Sequence, residues 1–299
     1  VSPGPIRTIV SSLVDISRSD WDNFETSWDF RELPLLRPAL KSATLEESWR
    51  NWEAYCTAAI RRMQELETDN NRLFIAAYGL EDELSPEVPE EQITLARADT
   101  RRDMAALLSY AIGCMMGRYS LDRPGLVLAD AGDTLREYLA KVGRMEDQLT
   151  FAPDGDGIVP LTERAWFPDD AAERFFEFIA KTWPAEGLEA NLRFISDSLG
   201  YDSGEDPREA IRRYLATGFY KDHLQTYKRR PIYWLFSSGK SRAFQCLVYL
   251  HRYHEGTLAR MRTQYVIPLQ GKMSQRIEQL AGDIAAAAST SHRRRLEKE

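Results

Sequence analysis

Between Lys221 and Arg262, nine Lys and Arg residues stand against only two acids, Asp222 and Glu255. Two tight groups stand out: Lys228, Arg229 and Arg230 directly before Pro231, and Lys240 and Arg242 either side of Ser241. Tyr227, Tyr233, Trp234, Phe244, Tyr249 and Tyr253 are interleaved with them. Cations at this density neutralise phosphates, and guanidinium forks reach base edges, so the chemistry these residues offer is nucleic-acid binding. The aromatics read as core, where their area is best buried. The cations fit either a phosphate-tracking surface or a solvated rim, and residue types alone leave both open.

Other reactive types lack the spacing their chemistry needs. Gly239-Lys240-Ser241 resembles the end of a phosphate-binding loop, yet Trp234 stands where the first glycine belongs. Asp154-Gly155-Asp156-Gly157 imitates the start of a calcium loop without the later ligands, and reads as a surface turn. His251 and His254 are three apart with only Glu255 nearby, so a structural role is favoured over a metal site. Cys56, Cys114 and Cys246 are scattered in apolar contexts without a CxxC pair, which suits a reducing cytoplasm. No apolar run reaches the roughly 20 residues a bilayer requires, so no membrane role is expected.

Charge divides the chain. Residues 1–220 carry 24 Lys+Arg against 40 Asp+Glu, and residues 221–299 carry 15 against 6, within a formal net charge of -7. An acidic body repels a polyanion that a basic tail attracts, confining binding to one face. Packing of the basic part on the acidic part within one fold is the alternative. The chain begins at Val1 and stops at Glu299 inside a charged helical pattern, and we read it as a piece of something longer.

The positioning elements are mostly helical. Residues 1–43, with Trp21, Phe24, Trp28, Phe30, Pro34 and Pro38, show no period and read as an irregular aromatic lead-in strapped over a core. An acidic helical body follows at 44–220. Thr44 and Glu47 form a capping box, and Leu45, Trp49, Trp52, Cys56, Ala59, Met63 and Leu66 step by fours and threes as a heptad seam ending at Gly79. Further helices are expected at 100–119, 133–142, 169–183, 186–199 and 206–216. In a basic aromatic region at 221–268, Ile232–Phe236 and Ala243–Leu250 bracket a Ser-Ser-Gly-Lys turn and read as a hairpin. A short helix over 255–265, broken by Pro268, then gives way to a long helix over 269–299, whose seam is Met273, Ile277, Leu280, Ile284 and Ala287. The two long helices invite antiparallel pairing with each other. The fold class expected is mainly α with a small β-hairpin part, α+β overall.

Four strings in order carry a family resemblance: residues 20–30 (DWDNFETSWDF), 71–80 (NRLFIAAYGL), 109–122 (SYAIGCMMGRYSLD) and 227–238 (YKRRPIYWLFSS). Over about residues 10–285 the chain resembles the C-terminal half of the PglX family, the adenine-specific DNA methyltransferases of BREX phage-defence systems. The resemblance implies a parent enzyme that methylates adenine with S-adenosylmethionine, and a region that clamps double-stranded DNA and recognises the target. It assigns that role to the region and not to single residues. A glycine-rich donor loop and an Asn/Asp-Pro-Pro-aromatic motif, which methyl transfer to a flipped adenine requires, are not found in this sequence. The chain itself is therefore expected to be inactive, with no catalytic residue, no metal and no cofactor of its own. Lys228, Arg229, Arg230, Lys240 and Arg242 are the expected DNA contacts. The rival reading is a scaffold that docks other defence-system subunits.

Overall fold

The computed structural model describes residues 3–202, 204–287 and 289–296. Helices α1 (Pro3–Trp21), α2 (Leu45–Tyr78), α3 (Thr100–Met115) and α4 (Leu135–Val142) precede a short strand, β1 (Ile158–Pro160). Next come α5 (Ala171–Thr182), α6 (Leu188–Ser198), α7 (Pro207–Thr217) and α8 (Phe219–Thr226), then strands β2 (Tyr233–Ser237) and β3 (Gln245–Tyr249). The chain continues through α9 (Thr257–Arg260), α10 (Ile267–Ala286) and α11 (Thr290–Leu296). The architecture is α+β and mainly helical.

α2 starts as its capping box dictates. Thr44 Oγ1 accepts the Glu47 N–H at 3.2 Å, Glu47 Oε2 accepts the Thr44 N–H at 3.4 Å, and Gly79 closes the helix at φ 66°. Leu45, Trp52, Cys56, Met63 and Leu66 of the seam are buried, and Ile60 joins them in place of Ala59. Their partner is not the C-terminal helix. Leu13 and Ile16 of α1 pack with Ile60, Met63 and the 88–95 segment, whereas Met273 of α10 packs with a different cluster. The expectation of an irregular start fails for the same reason: Pro3–Trp21 is a helix whose apolar face is legible only against α2. From Asn23 to Leu40 the chain does lie as an irregular strap, burying Phe30, Leu33 and Leu35 in the main core.

Pro268 does not break the chain's last helical run. Pro268 lies inside a helical run that is continuous from Thr257 to Ala286, and the π-helical turn at Met261–Val266 directly before it is the local departure from α-helical bonding that accompanies the missing N–H.

The sheet is antiparallel in the order β1-β3-β2. Leu247 pairs with Val159 on one side and Leu235 on the other, so β3 is central and buried throughout. Its alternate faces serve two cores: Leu247 and Tyr249 meet α3, α5 and α7, while Cys246 and Val248 meet Phe167, Met261 and Tyr265. β1, supplied by the body, was not expected. The hairpin thus joins the body through apolar packing. Helices α5 and α7 are tied by Arg212, whose side chain is 5% exposed and reaches Asp170 and Glu173.

Candidate functional site

α7 turns into α8 at Gly218, where a Cβ would lie 2.9 Å from the Tyr214 ring, and α8 ends in an unusual turn. The Arg229 N–H returns to Leu224 O at 2.7 Å and the Lys228 N–H to Gln225 O at 3.1 Å. These closures require left-handed backbone, and Lys228 and Arg229 adopt φ 50° and 62°. At the hairpin tip Gly239 has φ 99°, the Arg242 N–H returns to Gly239 O at 3.1 Å, and Arg242 sits at φ 48°. Among the described residues these three cations are the non-glycine residues with positive φ. Such conformations cost roughly 1 kcal/mol or more each for a side-chain-bearing residue and concentrate at functional positions.

The five sequence-selected cations are placed in two groups. Lys228, Arg229 and Arg230 lie at the foot of β2, and Lys240 and Arg242 at the tip beyond its far end. At about 3.3 Å per residue, β2 separates them by some 13 Å or more, the axial rise of roughly four base pairs of a duplex. All five are exposed, and none forms an ion pair among the described residues. Arg242 also borders a groove of about 250 Å³ against α10, together with Arg164, Trp166 and Arg276. The remaining tail cations do not all share this character. Arg252 is buried and donates to Asp154 O at 2.7 Å and Gly155 O at 2.8 Å, clamping the Asp-Gly-Asp-Gly turn.

That turn is held internally, with Asp154 Oδ1 accepting the N–H groups of Asp156 and Gly157 at 2.9 and 2.6 Å. Burial and the neighbouring Asp156 raise the Asp154 pKa to about 6. His254 Nδ1 accepts the Gly256 N–H at 3.1 Å, and the ring of His251 meets Tyr249 edge-on. The three cysteines are buried and unpaired.

Beneath the cationic foot is an arrangement that sequence reading missed. His223 Nε2 accepts the N–H groups of Ile232 and Tyr233 at 3.2 and 3.3 Å, anchoring the entry to β2. Burial, and secondarily the nearby Arg118, lowers its pKa to about 4, so the imidazole is neutral at pH 7. On the same helix face, Tyr227 donates to Glu25 Oε2, which also accepts from Ser109 Oγ, both at 3.0 Å. Burial raises the Glu25 pKa and outweighs the opposing charge of Arg118. Glu25 lies in one of the strings that carry the family resemblance, but nothing local in sequence joins it to Tyr227.

No family model matches the chain. Its sequence is homologous to a segment of adenine-specific methyltransferases. Adenine-specific methyltransferase BrxX of Escherichia coli O9:H4 (strain HS) is 39% identical over 319 aligned positions, covering 98% of this chain and 26% of that protein. Adenine-specific methyltransferase PglX of Lacticaseibacillus casei (strain Zhang) is 40% identical over 278 positions, covering 91% of this chain and 22% of its own length. The chain spans about a quarter of the length of these curated relatives.

Among the described residues β1 and β2 each pair antiparallel with the central β3, and each strand runs into a loop, a hairpin or a 3-10 turn. They do not form the strand, glycine loop and helix that seat a nucleotide-like methyl donor. No step of methyl transfer is assigned to them. Nor is any helix among the described residues long and apolar enough to cross a membrane.

Proposed function

We propose that this region binds double-stranded DNA and contributes to target recognition for an adenine-specific DNA methyltransferase of a BREX-type phage-defence system. The whole enzyme would use S-adenosylmethionine, with the chemistry performed outside the residues described above. The observation that carries this reading is the set of five exposed cations without an ion pair among the described residues, three of them held in strained left-handed backbone at the two ends of β2. Strain of this kind persists where the surroundings enforce it, and the carbonyl closures to Leu224, Gln225 and Gly239 supply the enforcement. Cations presented this way would track a phosphate backbone, while Arg242 at the hairpin tip would enter a groove. The acidic body keeps the rest of the surface off the duplex.

Fluorescence anisotropy with a labelled duplex tests it. Affinity is expected to fall steeply as salt rises, with a log–log slope of about -0.9 for each phosphate neutralised. Replacing both Lys228 and Arg229 with Ala should lower that slope by about two units at all sequences alike.

A second reading rests on a separate observation. The far end of α2 and the following loop expose Phe74, Tyr78 and Leu84, with Tyr78 74% accessible, and such a patch suits a protein partner. If the region is a scaffold and not a DNA reader, little duplex binding is present at low salt, and the K228A/R229A double variant changes nothing.

A further inference from the structure

The fold leaves most of the α10 seam uncovered. Met273 packs beside the cluster around Phe167 and Tyr265, but Ile277 is 67% exposed, and neither it nor Leu280 joins a core cluster among the described residues. Both line the groove of about 250 Å³ that separates α10 from the hairpin tip and from the turn at 162–166. Trp166 lines it from that turn, and Ser241 and Arg242 line it from the tip.

The walls are fixed before anything enters. Thr162 Oγ1 and the Trp166 N–H both donate to Arg164 O, at 2.6 and 2.8 Å, which closes the 162–166 turn. Lys272 of α10 donates to Trp166 O and lies 5.0 Å from the Phe167 ring centroid, so turn and helix are joined. On the other side Arg242 is held at φ 48° by the bond from its N–H to Gly239 O. A site formed in advance spares its ligand the cost of ordering it.

Three features select the occupant. The groove is smaller than the usual small-molecule pocket of roughly 300–1,000 Å³, and its open side suits one group projecting from a larger molecule. Its lining carries Arg164, Arg242 and Arg276 against one acid, Glu163. Arg276 reaches Asp283 at 3.6 Å, a partly exposed contact of little strength, so the groove retains an excess of positive charge that calls for an anion. The remaining surface is the Trp166 indole with the aliphatic side chains of Met273, Ile277 and Leu280. An anion joined to a flat apolar group describes a nucleotide, whose base offers a π-face beside its phosphate. Paired bases cover one another's faces and show only their edges in the duplex grooves, so a base lies against Trp166 only after leaving the stack.

We propose that this groove takes one unpaired nucleotide of a bound DNA, with the base against Trp166 and the α10 seam and the phosphate on Arg242. The site rests on the DNA-binding reading, because Arg242 belongs to both surfaces and a strand that follows the cations passes the mouth of the groove.

Fluorescence anisotropy of the full chain tests the assignment with two labelled probes, a fully paired duplex and the same duplex carrying a central mismatched tract. The mismatched probe should bind roughly tenfold more tightly, as one stacked base allows. Trp166→Leu keeps an apolar wall and removes the aromatic face. Ile277→Glu puts a carboxylate into the groove at a position exposed enough to leave folding intact. Either variant should bring the ratio of the two affinities close to one, whereas K228A/R229A should lower both affinities and keep the ratio. A ratio near one in the wild-type chain, with duplex binding still steep in salt, would overturn the groove site and leave the DNA-binding reading standing. So would an advantage that survives in both variants. Displacement of the mismatched probe by a glutamate-rich amphipathic peptide, more readily than by a single-stranded oligonucleotide of equal charge, would place a protein segment in the groove and overturn the site as well. Absence of binding to either probe at low salt would overturn both readings together.

Discussion

The Tyr227 hydroxyl donates to Glu25 Oε2 at 3.0 Å, joining residues 202 positions apart and tying the strap after α1 to the foot of the cationic turn. Tyr227→Phe leaves that buried carboxyl with one donor fewer, and is expected to cost about 1–3 kcal/mol in urea denaturation. Hydrogen exchange at residues 228–230 should quicken at the same time, because the turn loses its tether. Unchanged exchange there would mean that the turn is held by its backbone closures alone.

Left-handed residues let binding be separated from folding. Glycine adopts φ 50° or 62° without steric cost, so Lys228→Gly and Arg229→Gly should leave thermal stability unchanged or raise it by up to about 1 kcal/mol. The same variants remove a cation each and should weaken duplex binding at low salt. Denaturation and anisotropy on one preparation check both outcomes, and a loss of stability equal to that of a core variant would refute the strain argument.

Arg242 at the hairpin tip is expected to behave differently from the foot. Arg242→Ala should weaken binding and also relax preference between duplex sequences, by about 1–3 kcal/mol at the base concerned. Competition with a randomised duplex pool measures this; a uniform loss across the pool would make Arg242 a phosphate contact only.

His223 gives the turn a pH dependence of defined sign. Its folded pKa of about 4 lies below the ordinary 6.5, so between those values the unfolded chain binds more protons and stability rises with pH. The contribution is complete above pH 6.5 and is lost as pH falls through about 4. Protection of the Ile232 and Tyr233 amides, which donate to this ring, should decline over that window and recover on return to pH 7.

Gly113 in α3 reverses a common expectation. Gly→Ala inside a helix ordinarily stabilises by roughly 0.5–1 kcal/mol, but here the new Cβ would stand 2.5 Å from Tyr119 Cδ2. That ring is 1% exposed and stacks on Tyr110 at 5.1 Å, so it has nowhere to move. Gly113→Ala should destabilise by about 1–3 kcal/mol, while Trp52→Ala, which empties a large site in the α2 seam, should cost about 3–5 kcal/mol. Chemical denaturation decides both.

What could be read from sequence was local. The Thr44–Glu47 box, Gly79 as a helix stop, and aromatic strands flanking Ser-Ser-Gly-Lys each announce themselves within a few residues. β1 spans three residues and exists only because Val159 meets Leu247, so no periodicity could reveal it. α1 was hidden by early prolines and by a face that makes sense only against Ile60 and Met63. The exposed cations were legible as a charge cluster, but Lys228 and Arg229 carry none of the glycine or asparagine signals that mark left-handed backbone. The pairing of Glu25 with Tyr227, and of His223 with Ile232, depends on tertiary placement and left no trace in spacing.

The strand order β1-β3-β2 leaves β2 at the rim of the sheet, with one row of its backbone N–H and C=O groups unclaimed by a neighbouring strand. Open rims template pairing with other chains, and natural sheets protect them with charge and with proline. Here Arg230 and Pro231 guard one end and Lys240 and Arg242 the other. These exposed positive charges at the two ends of β2 therefore act as gatekeepers against self-association. Removing all of them would leave Trp234 on an unguarded rim, and such a variant should show its defect first as loss of colloidal solubility at high protein concentration.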